Sequence, residues 1–216
     1  SAASDVYKRQ GDRNKFTKKK LSEIGIRNTT QIDISNEEES KNFFILSNTE
    51  VLPDLDEYDL IIGLSLINFL EDIPSFLKQL KNILTKDGLL LTSFFSENNI
   101  LELKDLFSRV ELNIYNGISQ RFMPIIDIRE VGDLINNIGF FDTVITREKL
   151  EYEYENFNEM VSHLRLMAYT NFLDVKNNKF ITKHFINSLV NDFEKNKTNS
   201  LFKLSFDILI INSWNK

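Results

Sequence analysis

Apolar residues fall along this chain in two periods. Short continuous runs bounded by turn residues alternate with longer stretches in which apolar positions recur every three or four residues. Leu60-Ile61-Ile62, between Asp59 and Gly63, is too short for a buried helix and too apolar for a half-exposed strand. It predicts a strand covered on both faces. Leu89 to Phe95 is a second such run. Thr29 to Ile34 and Asn42 to Leu46 predict two short earlier strands, and Phe140 to Arg147 and Leu201 to Ile211 two later ones.

The helical patterns lie between these runs. Phe16, Leu21 and Ile24 predict one buried face of a helix closed by Gly25, and Asn36 to Ser40 opens a short solvated helix. Asp72 is placed to cap a helix with Pro74 in its first turn and Phe76, Leu77, Leu80, Ile83 and Leu84 inward. Lys86-Asp87-Gly88 then turns the chain into the next strand. Ser96 caps a predicted helix carrying Ile100, Leu101, Leu103 and Leu106, and Arg109 to Pro124 reads as an irregular loop or short helical insertion. Asp127 caps a helix with Val131, Leu134, Ile135 and Ile138 inward and Gly139 at its end. Phe157 to Tyr169 and Phe180 to Lys195 predict two more helices. Strand, helix and strand joined by short links imply βαβ units and a parallel sheet. Such sheets bind ligands beyond the carboxyl ends of their strands, so a reaction centre is expected just after the central run, at Ser65 to Asn68.

Composition narrows the function classes. A chain of 216 residues, 42% apolar and 27% charged, without repeats or linkers, is expected to be one ordinary globular domain. Most of its 18 phenylalanines should be core. A net charge of −6 argues against nucleic-acid binding, and Lys15 with Lys18 to Lys20 reads as a solvated helix face. The absence of cysteine excludes disulfides, a thiol nucleophile and cysteine metal sites, and fits a reducing cytoplasm. His163 and His184 read as structural or surface groups, so no metal site is expected. No run approaches the ~18 apolar residues of a membrane span. Residues 1–10, SAASDVYKRQ, differ in character from the rest and read as a non-native leader. Residues 11–216 then form a single domain truncated at its N-terminus, in which Val6 and Tyr7 would fill a first-strand slot poorly.

Three features point to a nucleoside. Gly11 opens a helix. Asp33 follows roughly 20 residues later at the end of the next strand, where a carboxylate can grip a ribose diol. Ser47-Asn48 ends the following run, where an amide reaches an adenine edge. A dinucleotide is disfavoured, because GDRNK offers one glycine and the side chains of Arg13 and Lys15 would crowd a pyrophosphate.

The blocks QIDIS, EVLPDLDEYDLII, LSLINFLEDIP, LTKDGLLL, RFMPIIDIREVGDLINNIGF, HLRLMAYTN and FDILIINSW together resemble a class I S-adenosylmethionine-dependent methyltransferase. The branch they resemble holds the biotin-pathway malonyl-carrier-protein O-methyltransferase and a methyltransferase-like mitochondrial complex I assembly factor. The resemblance runs from about Gly11 to the C-terminus and departs from the family at Arg13 and Lys15, where glycines are usual. It implies a Rossmann-like, mostly parallel sheet with helices on both faces, an antiparallel last strand and a helical insertion before it. It implies S-adenosyl-L-methionine as cofactor, with Gly11 and Asp12 beside the methionine moiety, Asp33 and Ile34 at the ribose, Asn48 and Thr49 at the adenine, and Ser65 near the methyl donor. Asn68 could orient an acceptor, Arg121 could fork a carboxylate, and Arg165 with Asn171 would line the insertion over the cleft. Trp214 is expected to pack the last strand. The acceptors implied are a small molecule or an acyl-carrier-protein-bound group, a carboxylate among them. The alternative is an assembly factor, hydroxylase or scaffold, acting on a respiratory-complex subunit. A nucleic-acid methyltransferase is disfavoured, because Ser65-Leu66-Ile67-Asn68 offers nothing to stack a flipped base.

Overall fold

The computed structural model describes residues 16–26, 31–33, 43–45, 50–52, 54–64, 70, 72–119, 121–122, 127–167 and 182–216. Helix α1 (Phe16–Glu23) precedes two short parallel strands, β1 (Gln31–Asp33) and β2 (Phe43–Ile45), in register Gln31 to Phe43 and Asp33 to Ile45. Gly25, at φ +93°, ends the α1 segment as expected, but Ile24 is solvent-exposed instead of buried. The leader 1–10 and the helix expected from Asn36 lie outside the described residues.

The larger sheet contains β3 (Tyr58–Leu64), β4 (Leu84–Phe95), β5 (Phe141–Tyr154) and β6 (Phe202–Trp214) in the order β3-β4-β6-β5. β3 and β4 are parallel, and β6 runs antiparallel between β4 and β5. Helices α5 (Phe157–Leu166) and α6 (Lys183–Lys195) precede β6. This is the mixed Rossmann-like arrangement the family resemblance implies, with its last strand reversed and a helical insertion before it.

Helix α2 (Ile73–Asn82) links β3 to β4. Asp72 accepts from Ser75 N at 3.0 Å, and Phe76, Leu77 and Leu80 are buried. Leu84 does not extend this helix. It begins β4, and the Lys86-Asp87-Gly88 turn becomes a bulge inside that strand, where Leu84 pairs with Tyr58 and Leu89 with Leu60. Asp87 takes φ +61° there, and Asn215 fills the bulge by donating Nδ2 to Leu84 O at 2.7 Å. Helix α4 (Ile128–Ile138) is capped by Asp127 as predicted, in a capping box that Glu130 completes, and ends at Gly139, φ +93°.

Successive residues of a strand face opposite sides of a sheet. Phe94 belongs to one core, with Leu90, Leu209, Ile211, α2 and α4, and Phe95 belongs to another. That second core packs helix α3 (Leu101–Tyr115), α5 and α6 against Phe202, Leu204 and Phe206. Helices therefore cover both faces. They cover different lengths of the sheet, because β5 and β6 run on together well past the end of β4.

Three expectations change. β5 is 14 residues long and runs to Tyr154 instead of stopping at Arg147. Arg109 to Tyr115 is regular helix, the second half of α3. β3 forms where predicted, but it is half-buried, with Leu64 exposed, and among the described residues it pairs only with β4.

At the end of β3 the backbone approach to β4 is close. Thr92 Oγ1 donates to Gly63 O at 2.9 Å, and a Cβ at Gly63 would lie 2.9 Å from that hydroxyl. Gly63→Ala should therefore destabilise the protein by roughly 1–3 kcal/mol through overpacking and loss of this bond. Removing the hydroxyl in Gly63→Ala/Thr92→Ala should make the two effects less than additive in denaturant titration.

Candidate functional site

The carboxyl edge of the parallel strands lies where Leu64 pairs with Ser93. Ser65 and Asn68, the residues expected to lead from β3 into the reaction centre, lie outside the described residues. So do Gly11, Asp12, Ile34, Asn48, Thr49 and Asn171. Asp33 is the last residue of β1, level with Ile45 at the end of β2, so the backbone sets it at the carboxyl end of a parallel pair.

Beyond this edge β4 stops at Phe95 while β6 continues beside β5, leaving the β4 side of β6 without a strand partner. Side chains and loop amides of 96–102 take the place of that strand. Asn99 Oδ1 accepts from Asp207 N at 2.8 Å, and Glu102 accepts from Ser205 N at 3.1 Å and from its hydroxyl at 2.6 Å. Ser96 N donates to Asp207 O and Ile100 N to Ser205 O, both at 2.9 Å. Ser96 is thus not the cap of α3. Its hydroxyl donates to the Asp207 carboxylate, and α3 starts at Ile100 without a side-chain cap. Ile100 is fully buried at φ +49°, a costly conformation for a β-branched residue that the two hydrogen-bonded flanks impose.

Asp207 is the centre of this junction. Its carboxylate is buried and accepts from Arg147 Nε at 2.8 Å and Nη2 at 2.5 Å. Burial pushes the carboxyl upward, but the hydrogen bonds from Arg147 and Ser96 outweigh it and hold the group below the usual carboxylate range. Arg147 is half in solvent, 51% exposed, so it brings a charge to Asp207 without being fully desolvated. Nearby, Lys104 Nζ donates to Glu97 O at 2.9 Å, and burial lowers the ammonium from its ordinary value.

A second buried charge pair lies inside the helical layer. Arg121, 6% exposed, donates Nε to Glu111 Oε1 at 2.6 Å and lays its guanidinium 4.7 Å from the Phe185 ring. Glu111 also accepts from the Ser119 amide at 2.7 Å and from its hydroxyl. Burial raises the Glu111 carboxyl, and the Ser119 and Arg121 bonds more than reverse this. An acceptor carboxylate reaching Arg121 would meet Glu111 already there. Arg165 is exposed in the last turn of α5, apart from this pair. His163 Nδ1 lies 2.5 Å from the hydroxyl of buried Tyr154, whose pKa is pushed up to about 12 chiefly by burial. His184 is exposed. Both histidines have the structural or surface character expected of them. Trp214 pairs with Leu89 and Phe141 at the end of β6 and is partly exposed.

Sequence reasoning missed Asp207, Arg147, Asn99 and Glu111. The available signal was a carboxylate inside an apolar strand, FDILII, and another on the buried side of a helix after Val110. Among the described residues no group of His, Asp and Glu is arranged to hold a metal.

Asp207 gives a pH-dependent prediction. Its folded pKa lies below the unfolded value, so its contribution is complete above about pH 4 and is lost as pH falls through the folded value. Asp207→Asn should cost roughly 1.5–3 kcal/mol at neutral pH. Its unfolding free energy, followed by urea titration between pH 7 and pH 2.5, should fall less steeply on the acid side than that of the parent.

No family profile matches the chain. The arginine-hydroxylase NDUFAF5, mitochondrial, of Dictyostelium discoideum is 24% identical over 158 residues, 72% of this chain and 36% of that protein. The human protein of that name is 23% identical over 158 residues, 73% of this chain and 44% of that one. The malonyl-acyl-carrier-protein O-methyltransferase of Gallionella capsiferriformans is 20% identical over 171 residues, 79% of this chain and 57% of that enzyme. The chain thus spans under half the length of the two hydroxylases. Among solved structures, the YcgJ protein of Bacillus subtilis superposes with a TM-score of 0.48 at 9% identity, over 96% of this chain and 80% of that one. By sequence, the chain is similar, at 20–24% identity over most of its length, both to proteins named arginine-hydroxylase and to a malonyl-acyl-carrier-protein O-methyltransferase.

Proposed function

We propose that this protein is an S-adenosylmethionine-dependent methyltransferase acting in the cytoplasm on a small-molecule or acyl-carrier-protein-bound acceptor, with a carboxylate as the acceptor group. The observation that carries this reading is the sequence relationship to methyltransferases across most of the chain, joined to Asp33 at the carboxyl end of the parallel β1-β2 pair. A carboxylate can accept hydrogen bonds from both hydroxyls of a ribose diol, and its place at a strand end is where this class of sheet receives a nucleoside. Asp33 and Ile34 would hold the ribose, Asn48 and Thr49 the adenine, and Gly11, Asp12 and Ser65 the methionine end. When bound, the cofactor's sulfonium supplies the methyl group. Asn68 and Arg165 are assigned to the acceptor side, whereas Arg121 is committed to Glu111. Transfer to a carboxylate needs no general base, only an acceptor oxygen held in line.

Calorimetric titration with S-adenosylhomocysteine tests the reading. Binding should saturate in the micromolar to low millimolar range, and Asp33→Ala should weaken it at least ~10-fold, the equivalent of one charge-assisted hydrogen bond. No heat at millimolar ligand would refute it. A second reading, favoured by the relatives named arginine-hydroxylase, is a methyltransferase-like assembly factor for respiratory complex I, acting on a subunit as hydroxylase or scaffold. Loss of complex I with biotin synthesis intact in a deletion strain would favour that reading over the first.

A further inference from the structure

The outer half of β5 is loaded differently from the rest of the sheet. β5 is the edge strand, hydrogen-bonded on one side to β6. Its eight consecutive residues Thr146 to Glu153 are all exposed, on both faces. Its 14 residues contain no proline and no glycine, and its one irregularity lies at the far end, between Phe141 and Val144. Proteins ordinarily blunt such an edge by keeping it short, bulging it or breaking it with proline. Among the described residues nothing pairs with the outer side of this strand, and Leu150 is 45% and Tyr152 42% exposed.

The side chains specify an occupant. In antiparallel pairing, opposed residues share a face. If a second copy of β5 pairs with the first about a twofold axis at Leu150, each residue i stands opposite residue 300 − i. Lys149 then faces Glu151 of the second copy and Arg147 faces its Glu153, each twice by symmetry. On the other face Leu150 meets Leu150 and Glu148 meets Tyr152. Moving the axis by one residue in either direction sets Lys149 against Lys149, or Glu151 against Glu151. The Leu150 register is free of like-charge pairs, and its neighbours are not. The residues are also braced for it. Tyr152 packs edge-on against His163 and Phe206, and Glu151 is held by Lys203 at 2.5 Å and Lys149 at 3.2 Å.

We propose that β5 is a self-association edge, through which two copies of this chain join antiparallel about Leu150 into one continuous sheet. The interface is isologous and closes as a dimer, because each copy offers one such edge. The inference is independent of the cofactor reading above.

Light scattering and sedimentation velocity on the whole chain test it, using charge reversals on exposed positions. The parent should sediment at twice its 25.3 kDa mass. Lys149→Glu alone, or Glu151→Lys alone, puts like charges opposite each other at two places and should raise the dissociation constant roughly tenfold or more. An equimolar mixture of those two variants should restore a dimer of one copy of each, and so should the double variant K149E/E151K with itself. Amides of 147–153 should gain hydrogen-exchange protection as the parent is concentrated. A parent that stays monomeric at hundreds of micromolar overturns the proposal. So do single reversals that dimerise as the parent does, or a mixture that fails to recover.

Discussion

The structure depends on how β6 is satisfied after β4 leaves it. A strand in the middle of a sheet needs partners on both edges, and an unpaired buried N–H costs about as much as a lost hydrogen bond. β6 is 13 residues long, but β4 accompanies it only as far as Ile208. The chain does not add a strand. It runs on along β6 as a loop and offers two side chains, Asn99 and Glu102, where two carbonyls would have been. Each of these bonds is worth about 1 kcal/mol net, yet omitting them would leave buried donors unmatched at about 1–3 kcal/mol each. The strained backbone at Ile100 follows from the same arrangement, since the loop must pair with β6 and then turn at once into α3.

This junction also divides the two cores. Phe94 and Phe95, adjacent in sequence, commit one face to α2 and α4 and the other to α3, α5 and α6. Asp207 sits where the covered part of one face ends. Leu209 and Ile211, on its face of β6, are buried in the α2-α4 core, whereas Lys203, further out on that face, is exposed. A carboxylate is stable there because Arg147 reaches it from β5 and Ser96 from the loop. The relation between the helical layer and the sheet is therefore fixed by a charged network and not by apolar packing alone.

Local rules made much of the fold legible in the sequence. Asp72, Asp127 and Gly139 act at helix ends through their own geometry, and Leu89 to Phe95 has no alternative to a covered strand. What stayed hidden depends on distant residues. Ser96 has the chemistry of a helix cap, but Asp207, 111 positions away, takes its hydroxyl. Leu84 continues the apolar period of α2, but pairing with Tyr58 draws it into β4. Arg109 to Tyr115 looked irregular because buried Glu111 breaks the apolar pattern, and only Ser119 and Arg121 make that burial tolerable. Of the candidate site, the place of Asp33 at a strand end was legible. The Asp207 network was not, because its members come from three separate segments.

The length of β5 was the least legible feature, and the reason bears on what the strand is for. Beyond Arg147 its residues, apart from Leu150, are charged or amphipathic on both faces, which in sequence reads as a solvated segment. β6 carries the burial for the pair, with Phe202, Leu204 and Phe206 all within the helical core. β5 follows because its backbone completes one edge of β6. It gains little burial of its own before Tyr154, which anchors its far end beneath α5. A strand held in this way needs no apolar alternation, so its exposed positions are free to carry other information. On one face they carry an order of sign, Arg147 and Lys149 before Leu150 and Glu151 and Glu153 after it. Such an order is antisymmetric about its centre, and an antisymmetric charge sequence complements its own reversed copy.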